Sequence, residues 1–240
     1  QAMSNEFIGN AARLSEADFN EAAAVLDCSV HALRAVAEVE SAGSGFFTDG
    51  RPKILFERHV FHMRTRGDFD VTHPEISRRS AGGYLGGTRE YERLYIAIGA
   101  NRKAALESTS WGKFQIMGFN HNLVGHPDVE TFVKAMVSGE KAQLVGFVAF
   151  IQNQNLDGAL RRKDWASFAR GYNGNSYMKN AYDRKMAAAY ARFSKVDVMD
   201  GQSMPTLQIG DQGEHVMRLQ SLLKIQNPDG LFGTMTRPAV

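Results

Sequence analysis

Two acidic residues sit in this chain where their surroundings alter what a carboxyl can do. Glu40 closes the segment LRAVAEVESAGSGF at residues 33–46, an apolar helix pattern that runs into a glycine-rich turn. At about 100° per residue, Val30, Leu33, Ala37 and Glu40 fall in one narrow stripe, so the acid shares the face that should be buried. Glu38 must point elsewhere. Partial desolvation disfavours the charged carboxylate, which raises its pKa toward the range of a general acid. The competing reading is a solvated Glu at a helix end, with Ser41 and Gly43 as the stop signal. Glu57 lies between Phe56 and the run His59, Val60 and Phe61, a second carboxylate among apolar residues. Either it is a partner acid for Glu40 or it forms a structural pair with Arg58. Glu107 is a third acid, held in reserve.

Other polar groups occur where a core needs none. Gln115, between Phe114 and Ile116, requires a hydrogen-bond partner if buried. The Tyr172-Asn173-Gly174 turn is a candidate for stacking on and hydrogen bonding to a sugar, or a plain helix stop. His59, His62 and His73 raise the question of a metal, but they lack an HExxH or cysteine pattern, so no metal and no organic cofactor is expected.

These side chains need elements to hold them. Ser15 with Glu16 and Asp18 predicts a helix through Leu26, and Ser29 caps the one that carries Val30 to Glu40. Ile54 and Phe56 alternate as a short strand, passing into a helix near Glu57. Residues 64–88, which include Gly82-Gly83-Tyr84-Leu85-Gly86-Gly87, read as a long surface excursion. Thr88 caps a helix through Ile98, and the stretch from Ala105 to Gly118 contains a small polar loop. Two apolar helices follow, Asp128 to Val137 and Glu140 to Leu156. The second is hydrophobic on most sides, which makes it the central helix of the core. Asp164 caps a helix ending at 172–174, and Tyr182, Met186, Ala189 and Phe193 mark the last helix of the main domain. Periodicity is then lost over 195–206, where a domain boundary is expected.

Bulk properties bound the remaining possibilities. The 240 residues are 43% hydrophobic and 22% charged, ordinary for one sizeable core with a small second module. A formal charge of +2 lacks the dense Lys/Arg stripe that nucleic acid demands. The single cysteine, Cys28, excludes an internal disulfide and reads as a small buried residue. No segment approaches the roughly 20 apolar residues of a membrane span, and QAMSNEF lacks the regions of a secretory signal.

Three segments in order, AVAEVES at 35–41, SWGKFQIMG at 110–118 and FARGYNG at 168–174, resemble the goose-type lysozymes and soluble lytic transglycosylases. More closely, residues 15–194, including ILFERHVF and the GGY loop, resemble the N-acetylmuramidase domain of phage endolysins. That resemblance implies a mostly α, lysozyme-like domain with at most a small β element, acting on peptidoglycan glycan strands. It makes Glu40 the catalytic acid and Glu57 the second carboxylate. Ser110 and Gln115 would line the saccharide groove, with Tyr172 and Asn173 touching the sugar or the acid. If the carboxyls stood about 6.5–9.5 Å apart, inversion would follow; about 5–5.5 Å would suggest retention.

Residues 207–240 resemble the first part of a peptidoglycan-binding module: a glycine turn before Val216, then Leu219, Gln220 and Leu223, then the Asp229-Gly230 and Phe232-Gly233 turns. The expected organisation is thus a catalytic domain over 1–195, a linker over 196–206 and a short helical stub over 207–240. The protein is expected to be a monomer, made in a host cytoplasm and released to act on peptidoglycan in the periplasm or cell wall. Lytic transglycosylation, which leaves 1,6-anhydro-muramoyl ends, and non-catalytic wall binding are the alternatives.

Overall fold

The computed structural model describes residues 5–200; the C-terminal stub and residues 201–206 of the linker lie outside the described residues. Helix α1 (Glu16–Leu26) opens on a complete capping box. Ser15 Oγ accepts from the Asp18 amide at 3.2 Å, and Asp18 accepts from the Ser15 amide at 2.9 Å. Helix α2 (Val30–Glu40) buries Leu33, Val36 and Ala37. Glu38 is exposed and accepts from Arg192 Nη2 at 2.5 Å, so it points away from that face as the spacing predicts.

A small antiparallel sheet follows in the order β1 (Ile54–Phe56), β2 (Thr109–Trp111) and β3 (Ile116–Met117). Ile54 pairs with Trp111 and Leu55 with Ser110, while Ser110 also pairs with Met117. Alternation gives the sheet two faces. Ile54, Phe56, Trp111 and Ile116 are buried in the core, whereas Leu55 and Met117 are half-buried on the opposite face. Trp111 anchors the inner face, its indole N–H donating to Leu106 O at 3.2 Å.

Helix α3 (Arg58–Arg64) starts directly after Glu57, which occupies its N-cap position with extended backbone. The excursion at 64–88 is not wholly at the surface, because Ile76 and Ser77 are fully buried and pin its middle to the core. Helix α4 (Glu90–Glu107) is longer than its sequence pattern indicates. Thr88 lies inside a 3-10 turn, Gly87–Arg89, rather than at the cap. At Asn101 the backbone leaves the helical region, and the Asn101 side chain accepts from the Ala104 amide at 3.0 Å, restarting the helix. A single asparagine thus acts as an internal cap, and Ala105 to Glu107 are helical rather than loop.

Helix α5 (Val129–Ser138) is capped by Asp128, which accepts from the Thr131 amide at 2.7 Å. Helix α6 (Glu140–Asn153) buries Leu144, Phe147, Val148 and Ile151, as expected of the central helix, but it stops three residues short of Leu156. A further short helix, α7 (Asp157–Arg162), fills the interval before α8 (Trp165–Asn173), whose cap Asp164 accepts from the Ser167 amide at 3.1 Å. Helix α9 (Tyr182–Asp200) continues into the stretch read as linker.

Phe147 links this core to the residues beside Glu40. Its ring stacks on Phe114 with centroids 4.2 Å apart and meets Tyr172 edge-on at 5.7 Å. Phe147→Ala removes both contacts and is expected to cost about 3–5 kcal/mol of stability. A loss below about 1 kcal/mol in denaturant unfolding would show that this helix is not the keystone of the core.

Candidate active site

Glu40 is the last residue of α2, half-buried at the end of the stripe formed by Leu33 and Ala37. Asn173, the last residue of α8, donates from Nδ2 to Glu40 Oε1 at 2.7 Å. Two helix ends far apart in sequence therefore meet at this carboxyl. Burial pushes its pKa up to about 7, and the Asn173 donor, which favours the charged form, only partly offsets this. Tyr172 packs among Phe147, Phe150 and Phe168, with centroids 5.7, 5.3 and 6.0 Å away. Burial, reinforced by the neighbouring Glu40 charge, raises the pKa of its hydroxyl, so it stays protonated.

The loop leaving Glu40 is clamped to the sheet. The Ala42 amide donates to Lys113 O at 2.8 Å and Lys53 N to Gly45 O at 2.8 Å, while Lys53 Nζ reaches Ala42 O at 2.8 Å. Gly45 donates to the buried Glu140 carboxylate at 2.7 Å, and a Cβ there would stand 2.1 Å from Gln143 Oε1, so a larger residue would displace the Gln143 amide from Lys113 N and Met136 O. Lys53, Leu55 and Glu57 alternate with buried residues and so share the half-buried face of the sheet. At about 3.3 Å per residue, Glu57 lies some ~13 Å along the chain from Lys53. One strand thus leads from the loop after Glu40 to the second acid.

Glu57 is fixed through Oε2. Tyr84 donates its hydroxyl proton to that oxygen at 2.8 Å, and His59 Nδ1 lies 3.3 Å from it. The His59 contact is an electrostatic approach rather than an aligned hydrogen bond, since no hydrogen-bond partner is met by that nitrogen. Arg58 turns away to Ser80 O and Ala81 O, both at 2.9 Å, so the Glu57–Arg58 pair is not formed. A hollow of about 370 Å³, lined by Gly43, Ser44, Lys113 and Phe19 among others, reaches the loop after Glu40 but includes neither carboxylate.

The N-acetylmuramidase family model matches residues 29–194. The chain belongs to this family. Among solved structures, the muramidase resembles one described as the crystal structure of Burkholderia AP3 phage endolysin. The two share 44% identity and a TM-score of 0.74, over 78% of this chain and 73% of that one. No curated protein matches it. It is a peptidoglycan hydrolase of the lysozyme type.

The other residues singled out from the muramidase sequence have structural partners. Ser110 is buried, and its hydroxyl donates to Gln115 Oε1 at 2.9 Å. Gln115 Nε2 donates to Gly112 O at 2.8 Å and Lys53 O at 3.2 Å, so its amide ties the β2–β3 hairpin to the start of β1. The hydrogen-bond partner its sequence context demands is therefore the protein itself. Glu107 is buried and accepts from Arg64 Nη1 at 2.5 Å, with His121 Nε2 at 3.9 Å. His62 pairs with Asp70 at 2.8 Å, and among the described residues no three His, Cys, Asp or Glu side chains gather as a metal site. The sequence offers little sign of the contact that Tyr84 makes. The only signal was a tyrosine flanked by glycine pairs, which says nothing of the carboxylate it meets.

A general acid works only while protonated, so with Glu40 in that role an alkaline limb to activity is expected near pH 7. Removing the Asn173 donor disfavours the charged form. In Asn173→Ala that limb should move upward by roughly one pH unit. The pH profile of kcat/KM reads the midpoint independently of the amplitude; an unmoved limb would refute the coupling.

Proposed function

We propose that this muramidase hydrolyses the β-1,4 bond between N-acetylmuramic acid and N-acetylglucosamine, with Glu40 as general acid and Glu57 as the second carboxylate. The observation that carries the reading is the Glu40 carboxyl, buried enough to hold its proton up to about pH 7 and anchored by Asn173. Glu40 gives that proton to the leaving glycosidic oxygen as the C–O bond breaks. Glu57 then takes a proton from the water that attacks the anomeric carbon, or stabilises the oxocarbenium-like transition state. Tyr172 and Asn173 serve the acid from one side. Ser110 and Gln115 serve the groove indirectly, by fixing the hairpin that forms its floor. Glu107, already neutralised by Arg64, is set aside as the second acid.

Mass spectrometry of purified peptidoglycan after digestion tests this directly. Hydrolysis leaves reducing muramoyl ends. Products lighter by one water, the anhydro-muramoyl ends, would establish a lytic transglycosylase instead, and retention on the wall with no soluble product would leave only a binding protein. Proton NMR of the first product formed reports inversion or retention.

The kinship with a phage endolysin supports synthesis in a host cytoplasm before release to the periplasm or wall. The described residues contain no helix long and apolar enough to cross a membrane. The balanced charge supports a protein that does not bind nucleic acid, and the reading is of a monomer. Light scattering at working concentration would check the last point.

A further inference from the structure

The glycine-rich excursion takes no part in the chemistry described so far, yet it is held by a costly device. Glu90 and Arg93, in the first turn of α4, are 0% and 2% exposed and pair at 3.0 Å. Burying two charges stabilises a fold little compared with apolar side chains, so such a pair is best explained by what it positions. Arg93 also donates from Nε and Nη2 to Glu75 O at 3.3 and 3.2 Å, and its guanidinium lies over the Phe56 and Tyr84 rings; the remaining hydrogen bonds of the pair run to two backbones. On the strand side, Glu90 Oε2 accepts from the Phe56 amide at 3.3 Å and Arg93 Nη1 donates to Phe56 O at 2.9 Å. On the loop side, Glu90 Oε1 accepts from the Leu85 and Gly86 amides at 2.6 and 2.9 Å, and Arg93 Nη2 donates to Gly82 O at 3.3 Å. The pair therefore rivets residues 82–86 to the residue immediately before Glu57. Gly83 makes the approach feasible: its φ is +72°, and a Cβ would lie 2.9 Å from Arg58 Nη1.

Tyr84 is the residue this rivet presents. The residue is 45% exposed, so it is not there to fill the core, while its hydroxyl reaches Glu57. Tyr84 and His59 both approach Oε2, which leaves Oε1 as the oxygen that faces no described partner.

We propose that Tyr84 is a positioning residue for hydrolysis: its hydroxyl, fixed by the Glu90–Arg93 rivet, orients the Glu57 carboxylate so that Oε1 is presented to water. This rests on the role given to Glu57 under the proposed function. Tyr84→Phe keeps the ring and deletes only the donor. On a soluble glycan-strand fragment its kcat should fall roughly tenfold with KM unchanged, and its melting temperature should match the parent's. In a Glu57→Gln background, Tyr84→Phe should have no further effect on kcat, because the group it orients no longer accepts a proton. A kcat within twofold of the parent overturns the proposal, as does an equal loss in both backgrounds, which would place Tyr84 on the sugar instead. Glu57→Gln measured alone tests the underlying role of Glu57, so the two failures are told apart.

Discussion

Glu40→Gln is expected to fold normally and to lyse purified cell walls about a thousandfold more slowly than the parent. Glutamine matches the carboxyl in shape and still bonds to Asn173, but it has no proton to deliver to a leaving oxygen. The same substitution should change the response of stability to pH, with a sign that follows from linkage. The folded pKa, about 7, exceeds the reference value of 4.5, so the folded state binds this proton more tightly than the unfolded chain. The resulting stabilisation is fully present below about pH 4.5 and is lost as pH rises through 7. The parent should therefore lose stability over that window relative to Glu40→Gln. Lysis within tenfold of the parent, or parallel stability curves, would remove Glu40 from the role of buried acid.

Glu57→Gln is expected to lower kcat by about a hundredfold or more with KM little changed, because in the proposed mechanism the charge acts on the transition state rather than on binding. With its amide oxygen turned to the position that Oε2 holds in the parent, the glutamine can still accept from Tyr84, so the loop should stay in place. Glu107→Gln provides the contrast. It weakens the ion pair at 2.5 Å between buried Glu107 and exposed Arg64 and should lower the melting temperature while leaving kcat on folded protein near that of the parent. If the kinetic loss followed Glu107 rather than Glu57, the assignment of the second carboxylate would be reversed.

Much of this was legible in the chain itself. The capping box at Ser15, the caps at Asp128 and Asp164, and the stripe that places Glu40 inward and Glu38 outward are local signals, and the fold contains all of them. Local signals also misled. Asn101 restarts a helix from within its own span, and Thr88 resembles a cap but lies inside a 3-10 turn. Asn101 caps locally but in mid-helix, and Thr88 makes no cap because the 3-10 turn already surrounds it, so residue type at these positions does not by itself fix a helix boundary.

The sequence by itself determined the helical class, the central helix around Phe147 and an acid at the end of a buried stripe, because each depends on periodicity within a dozen residues. Only the tertiary structure decided that Asn173 reaches Glu40, that Gln115 braces the hairpin, and that a buried Glu90–Arg93 pair brings Tyr84 to Glu57. Those contacts join residues as many as 133 positions apart, and a hydrogen bond requires its partners within about 3.5 Å. No spacing rule along a chain carries that distance; it exists only once the helices have packed and the loops have closed.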